Sequence, residues 1–413
     1  MDTIFYNISK ILHISNNGAK VKRGSELGDF PISNNAWLRI SDGKIHSFGK
    51  MEDLANLEGL HSVDAKGGMI MPTYVDSHTH LVYAGTREDE FGKRLHGYSY
   101  EQIANEGGGI LNSAKKVGLA SEDELYHSAA NRLEEVMQLG TGAIEIKSGY
   151  GLSTESEIKL LRTARKLAEN YPLPIKTTFL GAHAFPEKFK NDQDAYVQLI
   201  IDEMLPEIAK EKLADYVDVF CEKGYFNVDQ MQRILEAAKK YNLKPKLHLN
   251  QFNILNSISI AHDYNALSVD HLEVMSDEDI DILGQSNTIA TLLPGCSLFL
   301  EIPYAPARKL IEKNAIIALA TDYNPGSAPS GNMGLMVSLA SIKMKMTPEE
   351  ALSAATLNAA AAIELSDVMG SIEIGKKANL ILTKNHISTP SFLPYNFGHQ
   401  PIEAVYIDGK KIN

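Results

Sequence analysis

Cysteine is nearly absent. Two in 413 residues, Cys221 and Cys296, exclude a disulfide framework and the spacing of a cysteine zinc knuckle. A reducing cytoplasm is the simplest home for such a chain. No apolar run approaches the roughly 18 residues that a membrane-spanning helix needs. The start, Met1-Asp2-Thr3-Ile4-Phe5, lacks the basic-then-apolar pattern of a signal peptide. Positive charge is also in deficit. Forty Lys and Arg against 52 Asp and Glu leave a formal net charge of -12, which disfavours nucleic acid or an anionic membrane as the main partner. A small anionic substrate stays open, because one local arginine overrules a distant field. What is present is ordinary for a large soluble core: 44% apolar and 22% charged residues.

The length exceeds one ordinary domain and fits a barrel with appended material. Residues 1–66 read as short strands and turns, with a hairpin across Ser41-Asp42-Gly43-Lys44. The C-terminal end echoes this at Val405-Tyr406-Ile407-Asp408-Gly409-Lys410. One small β-sandwich domain built from both termini, 1–66 and 370–413, is therefore expected around a middle domain, 67–369. That middle alternates short apolar strands with helical stretches such as Glu122 to Leu139 and Glu155 to Asn170. The strands read as Ile70–Ser77, Ala143–Lys147, Ile175–Gly181, Val217–Cys221, Lys246–Asn250, Ala266–Asp270, Thr288–Leu293 and Ile316–Ala320. Repeated βα units of this number favour an α/β fold, a (β/α)8 TIM barrel, over an open doubly wound sheet. Ala354 to Ala362 reads as a packed helix.

The polar residues fall where a barrel builds its active site, at the C-terminal ends of the strands. His78 and His80 follow strand one, Lys147 and Tyr150 strand two, and His183 strand three. His248 and Gln251 follow strand five, His271 strand six, and Asp322 with Asn324 strand eight. Residues two apart on a strand share a face, so His78-Thr79-His80 can grip one metal ion. A lone His-x-His is more often a surface or hydrogen-bonding pair, and a lone Asp322 could start a turn or cap a helix. On successive strand mouths, three imidazoles and one carboxylate suit zinc or iron(II) and would be unusual for calcium.

Val75-Asp76-Ser77-His78-Thr79-His80 resembles the strand-one signature of the amidohydrolase superfamily, and Ile374-Gly375-Lys376-Lys377-Ala378-Asn379-Leu380 resembles its C-terminal sheet motif. A narrower resemblance rests on five segments. They are His80-Leu81-Val82-Tyr83-Ala84-Gly85-Thr86-Arg87, Glu106-Gly107-Gly108-Gly109-Ile110, Ile146-Lys147-Ser148-Gly149-Tyr150-Gly151-Leu152, Phe179-Leu180-Gly181-Ala182-His183-Ala184 and Thr321-Asp322-Tyr323-Asn324-Pro325-Gly326-Ser327. It points to the branch that carries out the third step of histidine degradation. The resemblance implies one zinc or iron ion held by His78, His80, His248 and Asp322. It implies hydrolysis of 4-imidazolone-5-propanoate to N-formimidoyl-L-glutamate. It places substrate contacts at Arg87, Tyr150, His183, Gln251, Asn324, Gly326 and Ser327, and it implies a homodimer.

The chemistry gives these residues work. Arg87 can present a planar two-pronged donor to a propanoate, unless it forms only a surface salt bridge. Tyr150 can hydrogen-bond or stack, unless it packs only at the rim. His183 can donate to a ring or carbonyl oxygen, unless it is a satisfied structural histidine. His271 can orient or deprotonate the attacking water, with Asp322 passing the proton to the leaving nitrogen. The expected catalytic set is thus His271, Asp322 and His183. Gln251 stands where some relatives and ring deaminases carry glutamate, and an amide cannot shuttle protons. Lys147 follows strand two, whereas two-metal relatives place a bridging lysine after strand four, where this chain has Cys221-Glu222. One metal is therefore expected. Gly107-Gly108-Gly109 lacks the Gly-Lys-Ser/Thr ending of a phosphate loop and reads as an adaptable loop over the substrate. Another cyclic-amide hydrolase, a ring deaminase, or a non-catalytic barrel remain the alternatives.

Overall fold

The computed structural model describes residues 2–15, 17–54, 61–98, 102 and 108–412. Its first strands are β1 (Thr3–Leu12), β2 (Ile32–Ser41), β3 (Lys44–Lys50), β4 (His61–Asp64) and β5 (Met69–Pro72). Eight parallel strands follow: β6 (Tyr74–Asp76), β7 (Thr141–Lys147), β8 (Ile175–Ala182), β9 (Tyr216–Cys221), β10 (Lys244–Leu249), β11 (Ser268–His271), β12 (Ile289–Leu292) and β13 (Ile316–Leu319). The chain ends with β14 (Leu380–Thr383), β15 (Ile402–Ile407) and β16 (Lys410–Lys411).

The terminal strands form one sheet in the order β16-β15-β14-β5-β1-β2-β3, with β4 also on β1. Both Asp-Gly turns form as expected. Asp42, Gly43, Asp408 and Gly409 all hold the left-handed backbone that such turns require. The eight parallel strands run in sequential order from β6 to β13, each joined to its neighbour, as a barrel demands and an open doubly wound sheet does not.

The stretch read as one strand, Ile70–Ser77, is two. Met69–Pro72 pairs with β1 and β14 in the terminal sheet, and Tyr74–Asp76 pairs with β7 in the barrel. Pro72 has no N–H to continue the ladder. The hand-over takes one residue: Thr73 donates its amide to Asn379 O at 3.0 Å, and Tyr74 donates to Gly140 O at 3.0 Å. The terminal sheet is thereby bonded directly to the first barrel strand.

Between β13 and β6 the described strands share no regular ladder. The buried helical segment from Ala354 to Ala362, which includes a π turn, packs against both. Asn358 pins it there, donating through Nδ2 to Ile317 O at 2.8 Å and to Lys22 O at 2.9 Å. The small alanines allow this close approach, and Ala359, Ala360, Ala361 and Ala362 form one apolar cluster with Val75, Ile316 and Ala318.

Candidate metal centre and cavity

The seam between first and last strands is closed by the segments that carry the candidate ligands. Asp322 donates its backbone N–H to His78 O at 3.0 Å, and His80 donates to Tyr323 O at 2.9 Å. His78, His80 and Asp322 are thus positioned by the hydrogen bonds that complete the barrel. Asp322 and His271 both hold a left-handed backbone, with φ of 56° and 88°. Non-glycine residues held there cost of order 1–3 kcal/mol each and are found where surrounding structure fixes them.

His78, His80, His248, His271 and Asp322 are all buried. The donor atoms of His78, His80 and Asp322 lie within 4.8 Å of one another, as do those of His78, His248 and His271. The two groups share His78. His78 Nε2 and His80 Nε2 stand 3.4 and 3.5 Å from Asp322 Oδ1. A third group, His271, Glu273 and Cys296, adjoins them.

The tautomers follow from the partners. Asp270 Oδ2 accepts from His78 Nδ1 at 2.6 Å, and Asp218 Oδ2 accepts from His248 Nδ1 at 2.8 Å. The Ser148 carbonyl accepts a longer bond, 3.4 Å, from His80 Nδ1. Each ring therefore carries its proton on Nδ1 and keeps an Nε2 lone pair. The Nε2 atoms of His78 and His248 are buried with no hydrogen-bond partner among the described residues. Burial, reinforced by neighbouring cations, holds all three imidazoles well below their usual pKa, so they are neutral. Burial also lifts the Asp322 carboxyl, to about 6. Neutral imidazoles with orphaned lone pairs beside a carboxylate are a donor set that fits a divalent cation of the zinc or iron(II) type.

Beneath the imidazoles lies a wholly buried ion cluster. Lys147 Nζ stands 2.8 Å from Glu145, 2.9 Å from Asp218 and 3.5 Å from Asp270. Lys246 Nζ reaches Glu145 at 3.2 Å and donates to Ser268 Oγ at 2.9 Å. Burial works against an ammonium at Lys147, but Asp218, Glu145 and Asp270 outweigh it and raise its pKa above the ordinary lysine value. Lys147 thus ties together the two carboxylates that orient His78 and His248. Sequence reasoning missed Asp218, Asp270 and Lys246. The signal was present as alternation: Glu145-Ile146-Lys147, Lys246-Leu247-His248 and Ser268-Val269-Asp270 each place polar side chains two apart, on one strand face.

Arg87, Tyr150, His183, Gln251, Asn324, Gly326 and Ser327 line one cavity of about 510 Å³ over the imidazoles. Arg87 is nearly buried and pairs with Glu90 at 2.6 Å. A side chain at Gly326 would meet Arg87 Nη1 at 2.2 Å, so the glycine makes room for the guanidinium. His183 stacks on His80 with centroids 5.2 Å apart. Burial lowers its pKa to about 4, and its Nδ1 donates to Gly149 O at 3.0 Å. Neutral His183 therefore presents an acceptor, Nε2, and not the donor that a carbonyl oxygen would need. The N–H groups of Gly326 and Ser327 both donate to Asn324 Oδ1 at 2.8 Å. Gln251 Nε2 donates to Cys296 Sγ at 3.3 Å. At His271, burial opposes protonation, but the Glu273 carboxylate 3.3 Å from Nδ1 outweighs it and raises the pKa. Of the loop expected over the substrate, Gly107 lies outside the described residues. Gly109 donates its N–H to Glu90 Oε1 at 3.0 Å. A wider groove of about 1040 Å³ opens in the terminal sheet beside Lys44, Lys377 and Lys411, away from the imidazoles.

The profile of the amidohydrolase family matches residues 69–412. A protein named imidazolonepropionase from Christiangramia forsetii is 54% identical over 412 residues, covering 100% of both chains. One of that name from Thermoanaerobacter pseudethanolicus is 43% identical, covering 98% of this chain and 96% of its own. Among solved structures, E. coli guanine deaminase superposes with a TM-score of 0.73 over 100% of this chain and 99% of its own, at 14% identity. That likeness speaks to the fold.

Replacing the carboxylate behind one imidazole tests the arrangement of the centre. Asp218→Asn should weaken metal affinity by about 10- to 100-fold in chelator competition while leaving the fold intact by circular dichroism. Unchanged affinity would mean that Asp218 does not orient His248 for a cation.

Proposed function

The chain belongs to the amidohydrolase family, and with full-length relatives named imidazolonepropionase at 38–54% identity we propose that it hydrolyses the lactam of 4-imidazolone-5-propanoate to N-formimidoyl-L-glutamate. The observation that carries this reading is one cavity holding a guanidinium, Arg87, over a set of neutral imidazoles with unpartnered Nε2 atoms. The amidohydrolase fold is used for metal-dependent hydrolysis, and a small molecule is the partner this cavity accommodates. We assign one divalent ion to His78, His80, His248 and Asp322, as zinc or iron. Bound there, it supplies Lewis acidity toward the lactam carbonyl and toward water.

The side chains supply the rest. Arg87, packed against Gly326 and paired with Glu90, is the guanidinium we assign to the propanoate. Tyr150 walls the cavity beside His80 and His183. His183 accepts a ring N–H through Nε2, which orients the lactam. Asn324 shapes the 322–327 turn by gathering the Gly326 and Ser327 amides, and its own Nδ2 donates to Ser327 Oγ at 2.9 Å. His271, backed by Glu273, accepts a proton from the attacking water. The water oxygen bonds to the lactam carbon, the C–N bond breaks, the proton taken up by His271 passes by way of Asp322 to the departing nitrogen, and the new carboxylic acid releases the second water proton. Carboxylate and N–H are the products, and atoms balance. Gln251 favours ring opening over deamination, since its amide is engaged with Cys296 and cannot protonate leaving ammonia.

No described helix is long and apolar enough to cross a membrane. We read the enzyme as a cytoplasmic homodimer, the family resemblance being the support. Sedimentation of the purified protein should give twice the chain mass, and a monomer at assay concentration would overturn the dimer.

Assay of the metal-loaded enzyme on imidazolone propanoate and on the same ring without its tail tests the reading. The tailed ring should turn over, and Arg87→Met should lower kcat/KM for it by about 100-fold while barely changing the poor reaction of the tail-less ring. Equal rates on both rings would remove Arg87 from tail recognition. Separately, His271→Ala should cut kcat by about 100- to 10,000-fold with metal content retained. Near-normal turnover would exclude His271 as the base.

A further inference from the structure

Helix α1 (Glu88–Leu95) begins just after Arg87. Arg87, Glu90, Phe91 and Arg94 lie at i, i+3, i+4 and i+7, which is one helix face, and all four line the cavity. Arg87, Glu90 and Arg94 are all half-buried, while Phe91 and Leu95 are exposed. Seven residues at the helical rise set Arg94 roughly 10 Å along the helix from Arg87.

The charges on this face are unequal. Among the described residues lining the cavity, the formally charged side chains are Arg87, Glu90 and Arg94. Glu90 Oε2 accepts from both Nε and Nη2 of Arg87, at 2.8 and 2.6 Å, so that pair largely cancels beyond its immediate neighbourhood. His183 is neutral near pH 7. Arg94 has no carboxylate paired to it among the described residues. Aromatic faces hold it instead. Its guanidinium carbon lies 4.8 Å from the Phe299 ring, on helix α2 (Pro294–Leu300), and 5.7 Å from Phe91, and the two rings stack 5.3 Å apart. Aromatic packing orients a guanidinium without neutralising it. Among the described residues, the net positive charge of the cavity wall therefore lies at Arg94.

We propose that Arg94 is an outer carboxylate site, which captures the propanoate of the arriving substrate and holds the dicarboxylate product as it leaves. The inference rests on the reading of this cavity as the substrate cavity. It assigns Arg94 a different task from Arg87: attraction across solvent, not final alignment. The chain needs such a site because its formal charge of -12 repels an anion at long range. Hydrolysis also creates a second carboxylate, so the product offers a guanidinium an additional group to bind.

Three measurements on the metal-loaded enzyme decide it. Arg94→Met keeps the stem on the phenyl rings and removes the charge, whereas Arg94→Lys keeps the charge. Arg94→Met should raise KM for imidazolone propanoate by roughly three- to tenfold, with kcat changed less than twofold, and should flatten the fall of kcat/KM with added salt. Glutarate, a dicarboxylate probe of the product end, should bind Arg94→Met three- to tenfold more weakly by calorimetry. Arg94→Lys should recover most of the salt dependence and of the glutarate affinity. Wild-type values of KM, salt slope and glutarate affinity in Arg94→Met would overturn the proposal. So would an Arg94→Lys enzyme as impaired as Arg94→Met, which would reveal packing alone. Glutarate calorimetry needs no turnover, so a wild-type enzyme inactive on imidazolone propanoate would defeat the proposed reaction and leave the Arg94 result readable.

Discussion

A buried ammonium sets the terms of this active site. Lys147 sits among Glu145, Asp218 and Asp270 with no exposed surface, and Lys246 joins from the adjacent strands. Two cations facing three carboxylates in a barrel interior carry a large desolvation cost, repaid only by close pairing and complete hydrogen bonding. Replacement by apolar residues would make an equally good or better core. The cluster is retained here with a visible consequence. Asp218 and Asp270 are held where each takes the Nδ1–H of an imidazole, so His248 and His78 are fixed in tautomer and in rotation before any ion arrives. Without Lys147 the two carboxylates would repel, and neither imidazole would have a fixed partner.

The same economy governs the barrel seam. In a closed barrel the first and last strands normally join through a ladder of backbone bonds. Here the described join falls past the strand ends, at His78, His80, Asp322 and Tyr323. Those amides position the candidate ligands and close the fold together. The left-handed backbone at Asp322 is the geometric cost of turning a carboxylate toward the imidazoles at that point, and His271 shows the same distortion one strand pair away. The two strained residues are candidates for chemistry, while the regular strands below supply rigidity.

Much of this was legible in the sequence, for identifiable reasons. The barrel showed because each strand is a short apolar run separated by amphipathic stretches, and the terminal sheet because two Asp-Gly turns demand hairpins. The candidate ligands stood out because a histidine or aspartate at the end of such a run has no packing role to explain it, and the fold brings His78, His80 and Asp322 together. Two things did not show. Pro72 splits an apparently continuous strand between two sheets, and apolar periodicity alone cannot mark that division, since Met69 to Asp76 is buried throughout. The ion cluster was hidden by the expectation that barrel interiors are filled with branched apolar side chains. Lys246 lies inside its strand and not at the mouth, so a reading confined to strand ends passes over it, and Asp270 was overshadowed by the histidine that follows it. His183 illustrates a third limit. Its position was readable, but whether it donates or accepts depends on the Gly149 carbonyl, a backbone partner 34 residues away.

These layers follow an electrostatic order from floor to mouth. Fixed anions at the floor outnumber fixed cations, which suits a divalent ion above them. The imidazoles between are neutral, so they donate lone pairs without opposing that ion. The wall above holds a balanced Arg87–Glu90 pair, whose directed donors align a carboxylate without a strong field. Arg94, with no carboxylate paired to it among the described residues, stands on aromatic rings two turns along the same helix. Reversing the last two would put the stronger attraction next to the reacting bond, where a newly formed carboxylate would be held hardest at the moment it should depart. On the proposed reading, attraction at Arg94 precedes alignment at Arg87, and the two tasks fall to different side chains. Binding energy is then not concentrated where it would stabilise substrate and product alike at the expense of turnover.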